Sequence, residues 1–361
     1  MSGLPSQTRN RVSNTASRGS VNDPQTPREL RVVCLLPSAT EIVCLLGAEG
    51  LLVGRSHECD WPASVRHVPV LTSQTTEHSS APVDPAAIDR QVREQLAAGL
   101  PLYRVDEELL RSLKPDVIIT QDLCAVCSID LAAVQRIAAS MAPPPTIVSL
   151  NPTTIEGVID DVLTVGRALR LESRAMTEAV KLRERFAAAG EFVNAYEEGP
   201  NVAFLEWTDP VFIGGHWTVQ MIERAGGRHV LNPSVPTENA GAAVGPQHAQ
   251  RRARKSIAVP VEILVASRPD VLIVCPCGLD LAATRHAVGE MAKKSWWEEL
   301  PAVRNGRVAL VDGNQYFNRP GPRLAEAFEW MVGWLQGRPG LVGEGFAWEE
   351  WGRKAAGSVS T

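Results

Sequence analysis

The sequence predicts an α/β protein of two lobes, each a mainly parallel sheet with flanking helices, joined by a long backbone helix. Three observations carry the prediction. Arg31 to Pro62, RVVCLLPSATEIVCLLGAEGLLVGRSHECDWP, reads as strand, tight turn, helix, strand and polar loop. Residues 153–196 carry helical patterning with no strand signal, and they divide two α/β halves. The halves echo each other: Leu113-Lys114-Pro115-Asp116-Val117-Ile118-Ile119 matches Ser267-Arg268-Pro269-Asp270-Val271-Leu272-Ile273, each after a helix and before a cysteine-bearing loop. Short apolar runs alternating with helical patterns are the signature of strands buried on both faces of a parallel sheet. The expected organisation is a disordered tail over 1–30, a first lobe over 31–150, a helical connector over 151–199, a second lobe over 200–336 and a tail over 337–361.

In the first lobe, Val32 to Leu36 is the opening strand and Pro37 ends it. Ser38 is placed to cap the next helix, with Glu41 where a capping box wants its carboxylate. Ile42, Val43, Leu45 and Leu46 form the apolar face, and Gly47 suits the left-handed residue beyond the helix. A second strand is expected over Leu51–Gly54 and a short one over Val68–Leu71. A helix follows over Pro85–Ala98, with Ile88, Val92 and Leu96 on one face. Then come a helix at Asp106–Leu113, a strand at Val117–Thr120, a helix at Leu131–Ala139 and a strand at Thr146–Leu150.

The connector reads as a shorter and a longer helix with a weak point near Arg170-Leu171. Leu182, Phe186, Ala189, Val193 and Tyr196 form one stripe on the longer helix, although Gly190 weakens its last turns. In the second lobe, strands are expected at Asn201–Leu205, Val271–Val274 and Val308–Val311. Helices are expected at Trp217–Ala225, Val261–Ser267 and Pro322–Leu335. Glu206-Trp207-Thr208-Asp209-Pro210 reads as the loop leaving the first of these strands.

Composition excludes several function classes. A net charge of -5 argues against a general nucleic-acid surface. The one basic cluster, Arg251-Arg252-Ala253-Arg254-Lys255, reads as a solvated loop. No run approaches the roughly 20 apolar residues of a membrane span. Residues 1–30 lack the apolar core of a secretory signal, which predicts a cytoplasmic location, with organelle targeting by that stretch as the alternative; the expected state is a monomer. The seven cysteines fit a reducing compartment. No phosphate loop or dinucleotide fingerprint is present.

Ligands of open α/β sheets bind beyond the carboxyl ends of the strands. Loops of this kind carry His57, Cys59 and Trp61, then Cys124 and Cys127, then Cys275 and Cys277. Two readings follow. Cys59, Cys124, Cys127, Cys275 and Cys277, with His57 and His216 as nitrogen donors, converge on a cleft and hold zinc, an iron-sulfur cluster or a ligand's cobalt. Alternatively they are unconnected thiols. Cys34 and Cys44, in a strand and a helix, read as small core residues. A thiol-dependent enzyme is the weaker version of the first reading, because no third group is placed to orient a Cys59–His57 pair.

The stretches Leu36-Pro37-Ser38-Ala39-Thr40-Glu41, Leu113 to Asp116, Trp207 to Gly215, and Arg319-Pro320-Gly321-Pro322-Arg323 occur in an order and spacing that resemble a known family. It is the family of ABC-importer substrate-binding proteins for vitamin B12 and iron-siderophores, and the likeness is strongest to its cobalamin-binding branch, over about residues 31 to 336. The resemblance implies a periplasmic-binding-protein-like fold of the helical-hinge class. It further implies a binding protein rather than an enzyme, holding a corrinoid between the lobes. Trp61 falls where such proteins place an aromatic on the cleft. Phe212, Tyr316 and Phe317 fall in segments that line the corresponding cavity. Glu108 and Glu262 fall where the family's glutamates meet permease arginines. A broad, mostly apolar corrin needs aromatic surface and a few polar groups. Trp61, Trp207, Phe212, Trp217, Tyr316 and Phe317 supply the first, with about half of them expected to face the cleft. Ser38, His57 and His216 supply the second. Each aromatic contact contributes roughly 0.5 to 1.5 kcal/mol beyond burial.

Overall fold

The strand–turn–helix unit at the start of the chain lays down the first lobe. In the computed structural model, which describes residues 29–75, 83–122, 131–194, 196–238 and 251–352, this lobe runs β1 (Val32–Cys34), α1 (Pro37–Leu45), β2 (Leu52–Arg55), β3 (Thr72–Gln74), α2 (Pro85–Ala97), β4 (Tyr103–Val105), α3 (Glu107–Leu113), β5 (Val117–Thr120), α4 (Leu131–Ala139) and β6 (Thr146–Ser149). Its sheet has the order β2-β1-β5-β6, every pair parallel. β3 and β4 form a separate antiparallel ribbon with α2 between them in the chain. The connector is α5 (Ile155–Ala168) and α6 (Glu172–Gly190). Arg170, at a φ of +61°, makes the corner between them.

The second lobe runs β7 (Val202–Thr208), β8 (Val211–Ile213), α7 (His216–Arg224), β9 (Val235–Pro236), β10 (Arg251–Arg252), β11 (Ile257–Ala258), α8 (Val261–Ala266), β12 (Val271–Val274), α9 (Leu281–Met291), α10 (Pro301–Arg304), β13 (Val308–Val311), α11 (Leu324–Leu335) and β14 (Trp348–Glu350). The order is β11-β8-β7-β12-β13-β14, with β7, β12 and β13 parallel and the outer strands antiparallel. The two sheets share no strand. No helix among the described residues is long and apolar enough to cross a membrane.

Successive strand residues point to opposite faces, and this alternation sorts the core. Val32, Cys34, Val117 and Ile119 of the first sheet, with Val202, Phe204, Val271, Ile273, Ala309 and Val311 of the second, belong to one central core. That core also takes in α1, α5, α6, α7 and α11. The other faces, Val33 and Ile118 in one lobe and Ala203, Leu205, Leu272 and Val274 in the other, join separate outer cores. The lobes therefore share one apolar interior through the connector helices. Two ion pairs reinforce it: Arg185 on α6 with Glu329 on α11 at 2.6 Å, and Glu156 on α5 with Arg224 on α7 at 2.7 Å.

The sequence echo is a structural device. Lys114 and Arg268, at φ of +44° and +48°, end α3 and α8 in the left-handed conformation. Asp116 and Asp270 follow, and each carboxylate accepts from a main-chain N–H beside its lobe's first strand, Arg31 or Asn201, at 2.8 Å. Each aspartate's own N–H returns to the same residue's carbonyl at 2.8 Å. One aspartate per lobe thus pins the first strand to its parallel neighbour, β1 to β5 and β7 to β12.

Five local expectations are corrected. Helix α1 starts at Pro37, whose missing N–H suits the first helical position; Ser38 makes no capping bond, and Glu41 lies a full turn in and is buried. The strand expected over Val68–Leu71 is only a bridge from Val70 to Arg55. β7 runs on through Glu206, Trp207 and Thr208, because Asp209-Pro210 makes a tight hairpin into β8 rather than a loose loop. Tyr196 stands 99% exposed, since α6 stops at Gly190. The stretch read as a C-terminal tail supplies β14, which pairs with β13.

Candidate ligand-binding site at the lobe seam

The turn between β13 and α11 meets the loop after β2 and the first turns of α1. Gly321 sits where a side chain has no room: a Cβ there meets the Ser38 Cβ at 3.2 Å and a Glu41 carboxylate oxygen at 3.3 Å. This approach brings four charged side chains together. Arg319 Nη1 donates to the Asp60 carboxylate at 2.6 Å and lies 3.9 Å from Glu41. Arg323 Nη1 lies 3.8 Å from Glu41 and bonds the Gln315 amide oxygen. Glu41 is 1% exposed, Arg319 5% and Arg323 7%, so these charges meet inside the protein. Neither Glu41 oxygen has a hydrogen bond within the described residues. Burial pushes its carboxyl up from 4.5 to about 7, against the pull of Arg323 and Arg319.

Rings complete the seam. The Arg323 guanidinium lies 4.5 Å from the Trp61 ring centre and 4.3 Å from that of Tyr316. Trp61 keeps 40% of its surface exposed. Tyr316, at 4%, backs onto Phe346 with ring centres 4.2 Å apart. Next to Trp61 in the loop, His57 Nδ1 is 2.6 Å from the Thr72 hydroxyl, and its ring is 5.8 Å from Tyr103 on β4. Glu58 is held below the ordinary carboxylate range by its hydrogen bond to His57. On the other lobe, Trp207 Nε1 donates to the carbonyl of Pro85 at 3.2 Å, linking β7 to the first residue of α2. Phe212 on β8 is half-buried.

His216 begins α7 at a φ of +51°, in the left-handed region that a histidine enters only when its surroundings hold it there. Its N–H donates to the Arg254 carbonyl at 2.8 Å, and its ring stacks on Trp217 with centres 5.5 Å apart. Burial, and then Lys255, lower its pKa, which favours neutral imidazole.

The predicted residues thus divide. Trp61, Trp207, Phe212, His57 and His216 keep accessible surface. Ser38, Trp217, Tyr316 and Phe317 are buried, at 2%, 7%, 4% and 1%. Trp217 donates its indole N–H to the Phe317 carbonyl at 2.8 Å, and Phe317 packs edge-on against Phe204 and Trp330. These two serve the central core and offer a ligand no face. Glu108 and Glu262 are exposed in the first turns of α3 and α8, one per lobe.

The cysteine expectation fares differently. Cys59 is buried under α1, where the Thr40 hydroxyl donates to its sulfur at 3.0 Å, and burial pushes its pKa up to about 11. Cys275 is sealed at the end of β12 beside Asn318, its pKa also raised by burial. Cys277 is exposed. Among the described residues no three His, Cys, Asp or Glu side chains are grouped to hold a metal ion. Cys124 and Cys127 lie outside the described residues. The physical reason is position: Cys275 directly follows β12 and joins the central core, and Cys59 turns back under α1 against Thr40.

Sequence reading named the ring at this seam and missed its charged floor. Asp60, Arg319 and Arg323 stood in stretches already singled out, but pairing over 259 positions has no local signal. The available hint was two arginines four apart around Pro-Gly-Pro, ahead of an apolar helix.

Known proteins agree with this architecture. The "Cobalamin-binding protein" of Halobacterium salinarum is 23% identical over 302 residues, 84% of this chain and 68% of that protein. Among solved structures, the periplasmic heme-binding protein RhuT of Roseiflexus matches with a TM-score of 0.61 at 22% identity, covering 86% of this chain and 99% of that one. The periplasmic vitamin B12 binding protein BtuF of Vibrio cholerae matches at 0.56 and 18%, covering 86% and 97%. At these identities the two structures speak for the fold. A family described as "Periplasmic binding protein" matches residues 32–314, from β1 through both lobes to the turn after β13, and the chain belongs to that family.

Proposed function

We propose that the protein binds a corrinoid, or a closely related tetrapyrrole metal chelate, between its two lobes. The observation that carries the reading is Trp61: a 40%-exposed indole at the lobe seam, beyond the carboxyl end of β2, with one neighbour already a guanidinium. An aromatic fixed in this way offers a flat apolar surface to a macrocycle. Trp207 and Phe212 add half-buried rings from the opposite lobe. The cobalamin- and heme-binding relatives support the ligand class.

Electrostatics favours the corrinoid over heme. On the floor of the seam Arg319 is paired with Asp60 at 2.6 Å, and Arg323 is taken up by the Gln315 amide oxygen and by the rings of Trp61 and Tyr316. Glu58, kept ionised by His57, sits on the same rim. A dianionic macrocycle with two propionates wants free cations in that place, whereas a corrin with neutral amide arms does not. Exposed Glu108 and Glu262, at matching helix starts on the two lobes, suit docking to a cationic partner such as a permease.

Isothermal titration with cyanocobalamin, cobinamide and hemin tests the reading. Saturable one-to-one binding of a corrinoid supports it. Binding of hemin alone redirects it to heme, and no heat with any of the three removes it.

A further inference from the structure

Trp61 belongs to the first lobe, but the groups that fix its ring belong to the second. Arg323 lies between Trp61 and Tyr316, at 4.5 Å and 4.3 Å from their ring centres. The column continues inward. Tyr316 lies tilted by 30° against Phe346 with ring centres 4.2 Å apart, Phe346 stacks on Trp330 at 5.2 Å, and Trp330 on Trp334 at 5.7 Å. Trp330 is fully buried and Trp334 is 7% exposed. At the far end the Arg307 guanidinium lies 4.7 Å over Trp334. The inner rings are therefore a rigid backing, and Arg323 is the plate between that backing and Trp61.

Other contacts keep Arg323 flat in this place. Its Nη1 bonds the Gln315 amide oxygen and faces Glu41 at 3.8 Å, and its Nε lies 3.9 Å from Glu326. A planar guanidinium can stack on two rings and still use its edge for hydrogen bonds, which a lysine ammonium cannot do.

We infer that Arg323 is a positioning residue: it holds the Trp61 indole as a ligand platform, so the platform exists only while the two lobes are docked at this seam. The inference rests on the reading of Trp61 as a ligand-binding residue.

The test is Arg323→Lys, which keeps the charge facing Glu41 and removes the plane. With hydroxocobalamin as probe, Arg323→Lys should weaken binding roughly fivefold, the size of one stacked cation. In a Trp61→Ala background the same change should alter affinity less than about twofold, since the coupled partner is gone. Equal losses in both backgrounds, or no loss in the first, overturn the inference. A ligand-free readout separates this from the functional reading. In protein labelled with 5-fluorotryptophan, the Trp61 fluorine resonance is identified by its disappearance in Trp61→Phe. Arg323→Lys should shift or broaden that resonance while leaving the Trp207 resonance in place. An unmoved Trp61 signal overturns the positioning role whatever binds. Wild-type protein that fails to bind hydroxocobalamin while the Trp61 signal moves as expected overturns the corrinoid reading and leaves the ring-holding role standing.

Discussion

Replacing Glu41 with Gln should stabilise the protein above neutral pH, although it removes a carboxylate that faces two arginines. The carboxyl is buried, and its pKa rises from 4.5 to about 7, chiefly through loss of solvent. A raised carboxyl pKa means the folded state holds a proton that the unfolded state has released. Stability from this group is full below pH 4.5 and falls as pH rises towards 7. At ~1.4 kcal/mol per pH unit, the loss amounts to about 3 kcal/mol by pH 8. Glutamine resembles the protonated form, so the variant should match wild type near pH 4.5 and exceed it by about 3 kcal/mol at pH 8. Asp161, also raised to about 7 by burial and then by Asp160, remains in both proteins and keeps a common slope in the same direction. Urea unfolding at half-unit steps from pH 4.5 to 8.5 reads the difference directly. Parallel profiles, or a variant less stable at pH 8, would refute the argument, because they would mean that the two guanidinium groups outweigh burial.

Other consequences are equally direct. Trp207→Phe keeps the ring but removes the N–H that reaches Pro85; hydrogen exchange across residues 85–97 should quicken, corresponding to about 1 kcal/mol of lost protection. Asp116→Ala and Asp270→Ala each strip the partner from a first-strand N–H and should each cost roughly 1–3 kcal/mol in thermal unfolding. Their effects should add within about 0.5 kcal/mol, since they act in different lobes. Reversing the charge at Glu108 or Glu262, both exposed, should change stability by less than about 0.5 kcal/mol and leave corrinoid titrations untouched, while abolishing pull-down of a permease partner.

The fold was legible where burial is dictated by pattern. Val32–Cys34, Val117–Thr120, Val271–Val274 and Val308–Val311 are β-branched-rich apolar runs of strand length. The Lys-Pro-Asp and Arg-Pro-Asp echo was legible because each proline must follow a helix end. The limits have particular causes. Helix α9, Leu-Ala-Ala-Thr-Arg-His-Ala-Val-Gly-Glu-Met, mixes small and polar residues and shows no clear stripe, though Asp280 caps it. β14 is three residues long and gains its identity only from pairing with β13. At the site, residue type pointed correctly to Trp61 as an accessible ring. Of the six aromatics, about half were expected to face the cleft; Trp217, Tyr316 and Phe317 are the buried ones, and residue type alone could not sort them, because the same aromatic that suits a corrin suits a core. Arg319 and Arg323 took their meaning from Asp60, Glu41 and Trp61, which the chain brings near only by closing the two lobes.

The most direct test of the account is the visible absorption spectrum of the protein purified from its own host, with metal analysis of the same sample. The account predicts corrinoid bands and cobalt approaching one equivalent per chain, lost from Trp61→Ala. A heme spectrum with iron, or zinc or iron-sulfur content that disappears when Cys124 and Cys127 are replaced by serine, would contradict it.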